Sequence, residues 1–115
     1  MIIKGYSLFD LPMVTFQINS KSFDFLIDTG FDGQLVLPLS IAHDLELNEV
    51  GDTEFFTADG HESAAPVFLC MLNWFGSVRP TFALGTNSDI GLIGMELLKE
   101  CRLTVDKAKN IELEK

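Results

Sequence analysis

Residues Phe25–Pro38 read FLIDTGFDGQLVLP. The run is apolar to Ile27, breaks at Asp28, turns through Gly30 and Gly33, and is apolar again from Leu35. Asp-Thr-Gly is sound strand-to-turn chemistry, because an Asp side chain can bond nearby backbone and Gly tolerates positive φ. It also suits a second role. A lone ionised carboxylate is a weak base near neutral pH, but two carboxylates about 3 Å apart hold one proton between them. One member then takes a proton from water while the other serves the carbonyl under attack. Asp32 is the nearest acid in sequence, yet residues 28 and 32 flank a turn and nothing forces their side chains together. The economical partner is Asp28 of a second copy, meeting itself across a two-fold axis.

Outward from this stretch the pattern is mostly period two. Val14, Phe16 and Ile18 alternate with Thr15 and Gln17 across Met13–Asn19, as in a half-buried strand. Asn19–Ser22 is a turn cluster, after which Phe23, Phe25 and Ile27 alternate, so a hairpin leads straight to Asp28. Leu35–Leu37 is a short strand stopped by Pro38. Ser40 is placed to cap a short helix over Ile41–Leu45. A second hairpin follows, Thr53–Thr57 and a strand into Val67–Leu72, around Ala58-Asp59-Gly60; Asp-Gly between strand-like arms is a strong hairpin signal. Asn73–Ser77 reads as a loop, Val78–Leu84 as a strand and Gly85–Asp89 as a turn. Leu97, Leu98 and Cys101 sit at helical spacing in Met95–Cys101. Arg102–Asp106 and Ile111–Leu113 read as closing strands. With no linker, repeat or composition break, residues 1–115 read as one all-β domain with one or two short helices.

Composition narrows the function. Of 115 residues 47% are hydrophobic, enough for a core without disulfide staples. Asp and Glu outnumber Lys and Arg by 17 to 8, a formal charge of −9, the opposite of what a phosphate-binding surface needs, so no nucleic-acid partner is expected. Cys70 and Cys101 lie far apart with no CxxC or Cys/His cluster; no metal, cofactor or disulfide is expected, and free thiols fit a reducing compartment. The amino-terminal residues carry no apolar run of signal-peptide length and no stretch approaches a membrane span. The expectation is a cytoplasmic protein with no membrane partner.

Phe25-Leu26-Ile27-Asp28-Thr29-Gly30 resembles the active-site motif of the retropepsin-like aspartic proteases, single-domain homodimeric relatives of pepsin. Two further elements agree in the right order. The Asp-Gly hairpin at Phe55–Glu62 is similar to the flap that closes over bound peptide, and Leu92-Ile93-Gly94 before Met95-Glu96-Leu97-Leu98 is similar to the motif leading into the family's helix. Members from bacteria and other cells, with an aromatic after the Gly, are the nearer match. The resemblance implies a closed barrel-like all-β fold and an aspartic endopeptidase acting as a homodimer on extended peptide, without metal or cofactor. It implies that Asp28 is catalytic, one from each subunit. Thr29 would bond across the axis, and Gly30 would let backbone approach the carboxylates. Phe31, Asp32, Ala58, Asp59 and Gly60 would contact substrate, with Leu35 adding to apolar pockets. Leu92, Ile93 and Gly94 would support the loop from behind.

Two positions depart from the retroviral pattern. Phe31 replaces a small residue, which reshapes the pocket. Met95 stands where retroviral enzymes place an Arg that pairs with the acid at the Asp32 position, so a surface turn acid is an equal reading of Asp32. His43 and His61 read as structural or solvated residues, although His61 facing the site would make closure sensitive to pH. Trp74-Phe75 reads as packing under a loop, with a subunit contact as the alternative. The rival function is a peptide-binding or assembly module that keeps this fold without hydrolysis. An unrelated all-β domain whose Asp28 merely closes a turn is the third reading. The two terminal segments are candidates for pairing between subunits.

Overall fold

The computed structural model describes residues 1–56, 59–107 and 109–115, and of Phe55 and Phe56 the backbone alone. In chain order the first strands are β1 (Ile2–Lys4), β2 (Tyr6–Leu8), β3 (Leu11–Ile18), β4 (Lys21–Ile27) and β5 (Leu35–Pro38). Helix α1 (Leu39–Asp44) precedes β6 (Asn48–Phe56), β7 (Glu62–Trp74), β8 (Ser77–Thr86) and β9 (Gly91–Ile93). Helix α2 (Met95–Leu98) and strands β10 (Arg102–Asp106) and β11 (Asn110–Glu114) complete the chain.

The alternation in β3 and β4 does what its period requires. Val14, Phe16 and Ile18 are buried while Thr15 and Gln17 are exposed, and Phe25 and Ile27 are buried on the partner strand. Met13↔Leu26 through Ile18↔Lys21 set the hairpin register. The turn residues Asn19 and Ser20 take φ of 50° and 70°, the left-handed pair that matches strand twist in a two-residue hairpin.

The large sheet runs β2-β3-β4-β9-β5-β8-β7-β6, and a further pairing, Ile18↔Leu72, joins β3 to β7. That pairing closes β3, β4, β9, β5, β8 and β7 into a ring, the barrel-like arrangement expected from the sequence. Inside it Val14, Phe16, Phe25, Leu35, Leu72, Trp74 and Ile93 form one cluster with Leu97, Leu98, Ile111 and Leu113. Large apolar side chains buried this fully contribute about 1.5–3 kcal/mol each. No buried side-chain nitrogen or oxygen among the described residues lacks a partner. No helix among them is long and apolar enough to cross a membrane.

Several local expectations are corrected. The Asn73–Ser77 loop is instead a two-residue turn: Trp74 pairs with Ser77, while Phe75 and Gly76 take φ of 52° and 88°. Trp74 is therefore a core residue, 2% exposed, with its ring 5.3 Å from Phe16 and 4.9 Å from Phe75. Its Nε1 donates to Glu100, which also accepts from Arg79 and Lys115. Burial would raise the Glu100 pKa, but hydrogen bonds from Lys115 and Arg79 outweigh it and lower the value. The helix at 95–101 stops at Leu98, and α1 starts at Leu39 with no side-chain cap from Ser40. Gly85 and Thr86 extend β8 rather than open a turn.

The terminal segments, expected to be available for pairing between subunits, satisfy one another within the chain. β11 lies between β1 and β10, and the backbones of Met1 and Lys115 exchange hydrogen bonds at 2.9 and 3.0 Å. Both edges of β11 are filled, which leaves the outer edges of β1 and β10.

Candidate active site

The path from β4 to β5 sets up the site. The two strands are not neighbours: β9 lies between them, parallel to β4 through Leu26↔Leu92 and antiparallel to β5 through Leu35↔Ile93. The segment Asp28–Gln34 must therefore cross about 10 Å, two ladder spacings, over the end of β9. A tight turn cannot do this. A longer loop with its own internal bonds can.

Those bonds are specific. The Asp28 N–H donates to the Ile93 carbonyl at 3.0 Å, continuing the β4–β9 ladder by one residue. The Phe31 N–H donates to the Asp28 carbonyl at 3.3 Å, closing a turn over Thr29 and Gly30. The Gly30 N–H donates to Asp28 Oδ1 at 2.9 Å, so one carboxylate oxygen is fixed by the loop's own backbone. Asp28 is half-buried, whereas Thr29 and Gly30 are exposed at the apex. Thr29 has no hydrogen-bond partner among the described residues, and no bond joins Asp28 to Asp32.

The return side of the loop rests on the start of α2. Gly94 N–H donates to the Gln34 carbonyl at 2.9 Å, Met95 N–H to Phe31 at 2.7 Å and Glu96 N–H to Gly33 at 3.1 Å. A Cβ on Gly94 would run into the Gly33 carbonyl oxygen and the Phe31 ring, with the Phe31 carbonyl oxygen 2.8 Å away. Gly94 is thus the one residue size that lets loop and helix share these bonds. Leu92 is half-buried and Ile93 buried, each paired to β4 and β5. The three residues expected behind the loop do sit there.

Phe31 and Asp32 lie beside this floor. The Phe31 ring folds back over Gly33 and Gly94. With Asp32, Val36, Thr53, Glu54, Ala65, Leu84, Gly85 and Thr86 it lines a cavity of about 430 Å³. An adjoining cavity of about 480 Å³ shares Phe31, Asp32, Thr53 and Leu84 and adds Gly33, Gln34, Leu35, Phe82 and Glu96. Leu35 is fully buried yet reaches the second cavity's wall. Neither cavity is lined by Asp28.

The β6–β7 hairpin supplies the other side. Its arms pair from Asn48↔Leu69 to Phe56↔Glu62, with an irregularity between Glu49 and Gly51. Asp59 accepts from the His61 N–H at 3.2 Å and lies 3.0 Å from His61 Nδ1, both residues exposed. Gly60 takes φ of 85°, where a side chain would be strained. Ala58, the remaining expected contact at this turn, lies outside the described residues. Glu54 is bonded to Glu62, and that bond, with partial desolvation and the nearby Asp52 charge, raises the Glu54 pKa. His43 faces Phe68 edge-on at 6.4 Å, away from the loop.

Sequence reasoning missed Thr53, Glu54, Ala65, Leu84 and Gln34. The first four come from the neighbouring strands β6, β7 and β8, which only the sheet order sets beside the loop, so no local pattern marks them. Gln34 is different: its Oε1 accepts the Phe82 N–H at 2.7 Å, tying the loop to β8. A lone amide just after a Gly-containing turn was a weak but visible signal.

The aspartyl protease family model matches residues 14–97. Among solved structures, a retropepsin-like aspartic protease from Rickettsia conorii is similar at a TM-score of 0.71 and 19% identity, covering 98% of this chain and 90% of that one. EIAV protease, solved with the inhibitor HBY-793, is similar at 0.66 and 20% identity, over 78% of this chain and 86% of that one. Simian foamy virus (mac) protease follows at 0.59 and 15% identity, over 76% and 91%. A comparison with curated protein sequences finds no match. At these identities the structural likeness concerns the fold.

Proposed function

Given that the chain belongs to the aspartyl protease family and has the retropepsin-like fold, we propose that it is an aspartic endopeptidase active as a homodimer. The observation that carries this reading is Asp28 itself. It sits at the start of a loop locked by β9 and α2, with one carboxylate oxygen bonded to Gly30 N–H and an exposed Thr29 beside it.

One chain supplies one such carboxylate. A second copy facing it across a two-fold axis supplies the other, and the unpartnered Thr29 hydroxyls are suited to bond between the two loops. The paired acids then hold a single proton. The unprotonated member takes a proton from water as its oxygen attacks the peptide carbonyl carbon. The protonated member gives its proton to the carbonyl oxygen, so a neutral gem-diol forms. Collapse breaks the C–N bond as the nitrogen takes a proton from one member of the pair and a gem-diol hydroxyl gives its proton to the other, so the pair again holds a single proton. No covalent enzyme intermediate is formed.

Substrate would lie extended between the loop and the β6–β7 hairpin, which acts as the flap, bonding through its backbone as an added strand. Asp59, Gly60 and the adjoining Ala58 form the tip in this reading, and Phe31 and Asp32 the near wall.

The test joins cleavage to assembly. Wild-type protein should cleave peptides with a specific activity that falls on dilution, in step with dimer dissociation followed by analytical ultracentrifugation. Asp28→Asn should assemble normally and lose cleavage by on the order of 10²–10⁴-fold. Full activity in that variant rejects the mechanism; tight peptide binding by the wild type with no hydrolysis supports the binding-module reading.

A further inference from the structure

The cavity beside the loop has a chemical character of its own. Phe31, Val36, Ala65 and Leu84 give it apolar walls, and two exposed acidic residues also line it, Asp32 from the loop and Glu54 from β6. Among the described residues, no Lys, Arg or His lines this cavity or the adjoining one. Asp32 is exposed and has neither ion pair nor hydrogen bond among the described residues. Glu96, on the adjoining cavity, is already held by Lys99 at 3.3 Å.

We propose that this cavity is a substrate subsite for a side chain with an apolar stem and a cationic head, Lys or Arg, held between Asp32 and Glu54. The inference rests on the protease reading above and names its substrate class. Methylenes of a Lys or Arg stem pack on apolar walls while the head stays at a polar rim. An uncharged apolar occupant would strip water from two carboxylates and return no hydrogen bond, and an acidic one would add a third like charge. Discrimination of this kind comes as much from the penalty on the wrong occupant as from the bond to the right one. The chain's formal charge of −9 draws cationic segments toward the cleft from a distance.

Peptides identical except for Lys or norleucine, placed at each position around the scissile bond in turn, are compared by kcat/KM at neutral pH and low salt. At one position Lys should be favoured about tenfold, the scale of one charge-assisted contact. The ratio should fall part-way in Asp32→Asn and in Glu54→Gln, and to near unity in the double variant. Glu54→Lys should turn the preference toward Glu at that position. A ratio at or below unity everywhere in the wild type, or a Lys preference unchanged in the double variant, overturns the proposal. If no peptide is cut, the protease reading fails separately, and the same pairs are titrated into the protein by calorimetry. Tighter binding of the Lys peptide, lost in the double variant, then supports the subsite; equal or absent binding overturns it.

Discussion

The two walls of the cleft are built on opposite plans. The floor, Asp28–Gln34, has almost no slack: its backbone is bonded to Ile93 and to residues 94–96, and a Cβ on Gly94 has nowhere to go. The β6–β7 hairpin is the reverse. Around Gly51 and Gly60 a Cβ would meet nothing within 4 Å, and its exposed arms carry Asp52, Glu54 and Glu62. On the proposed reading, fixed geometry is concentrated where a proton would move between atoms, and charge and open space where a chain would enter and leave.

The contrast breaks first, if it breaks, at Asp28. Asp28→Asn should cut peptide cleavage by on the order of 10²–10⁴-fold, the span of positioned acid–base groups, with melting temperature and dimerisation unchanged. Gly94→Ala comes next. Its methyl must displace Gly33 or Phe31, so a loss of about 1–3 kcal/mol is expected by denaturant titration, with activity falling further than stability alone explains. A variant as stable and active as wild type would mean that the floor is not fixed in this way.

The hairpin responds to pH instead. The Glu54 pKa is raised from 4.5, chiefly by its bond to Glu62, so the folded hairpin holds a proton that the unfolded chain has lost. Stability from this pair is therefore fully present below pH 4.5 and disappears as pH rises through the higher folded value. Hydrogen exchange should show the β6–β7 amides better protected at acid pH, and Glu62→Gln should flatten that dependence. The smallest effect is expected at Gly51→Ala. With open space and an ordinary φ, it should leave stability unchanged or raise it by about 0.4–1 kcal/mol. A clear destabilisation there would show the hairpin to be packed as tightly as the floor.

Which parts could be read from sequence follows from how local their causes are. β3, β4 and the Asp28 loop were legible because alternation and turn residues lie side by side in the chain. β1 and β9 were not, since each has three residues and exists only through partners far away in sequence, and β2, though its partner β3 follows at once, is three exposed residues with no alternation to mark it. The Trp74 turn was misread because a left-handed Phe75 takes the place where Asn is usual; the Asn73 side chain instead accepts the Gly76 N–H at 2.9 Å. In the site, Asp28 and Gly94 announced themselves through motif and order. The acid on β6 could not, because Glu54 and Asp32 meet on one cavity only through the β5-β8-β7-β6 strand order, which no local pattern marks.

The insertion of β9 between β4 and β5 also sets a timetable. Asp28 leaves the ribosome early, yet the bonds that hold its loop come from Ile93 and residues 94–96, made much later. Contacts so distant along the chain form slowly, because the intervening loop must be closed before they can form. A nascent or truncated chain ending before Gly91 carries the whole Asp-Thr-Gly sequence without the scaffold that orients it.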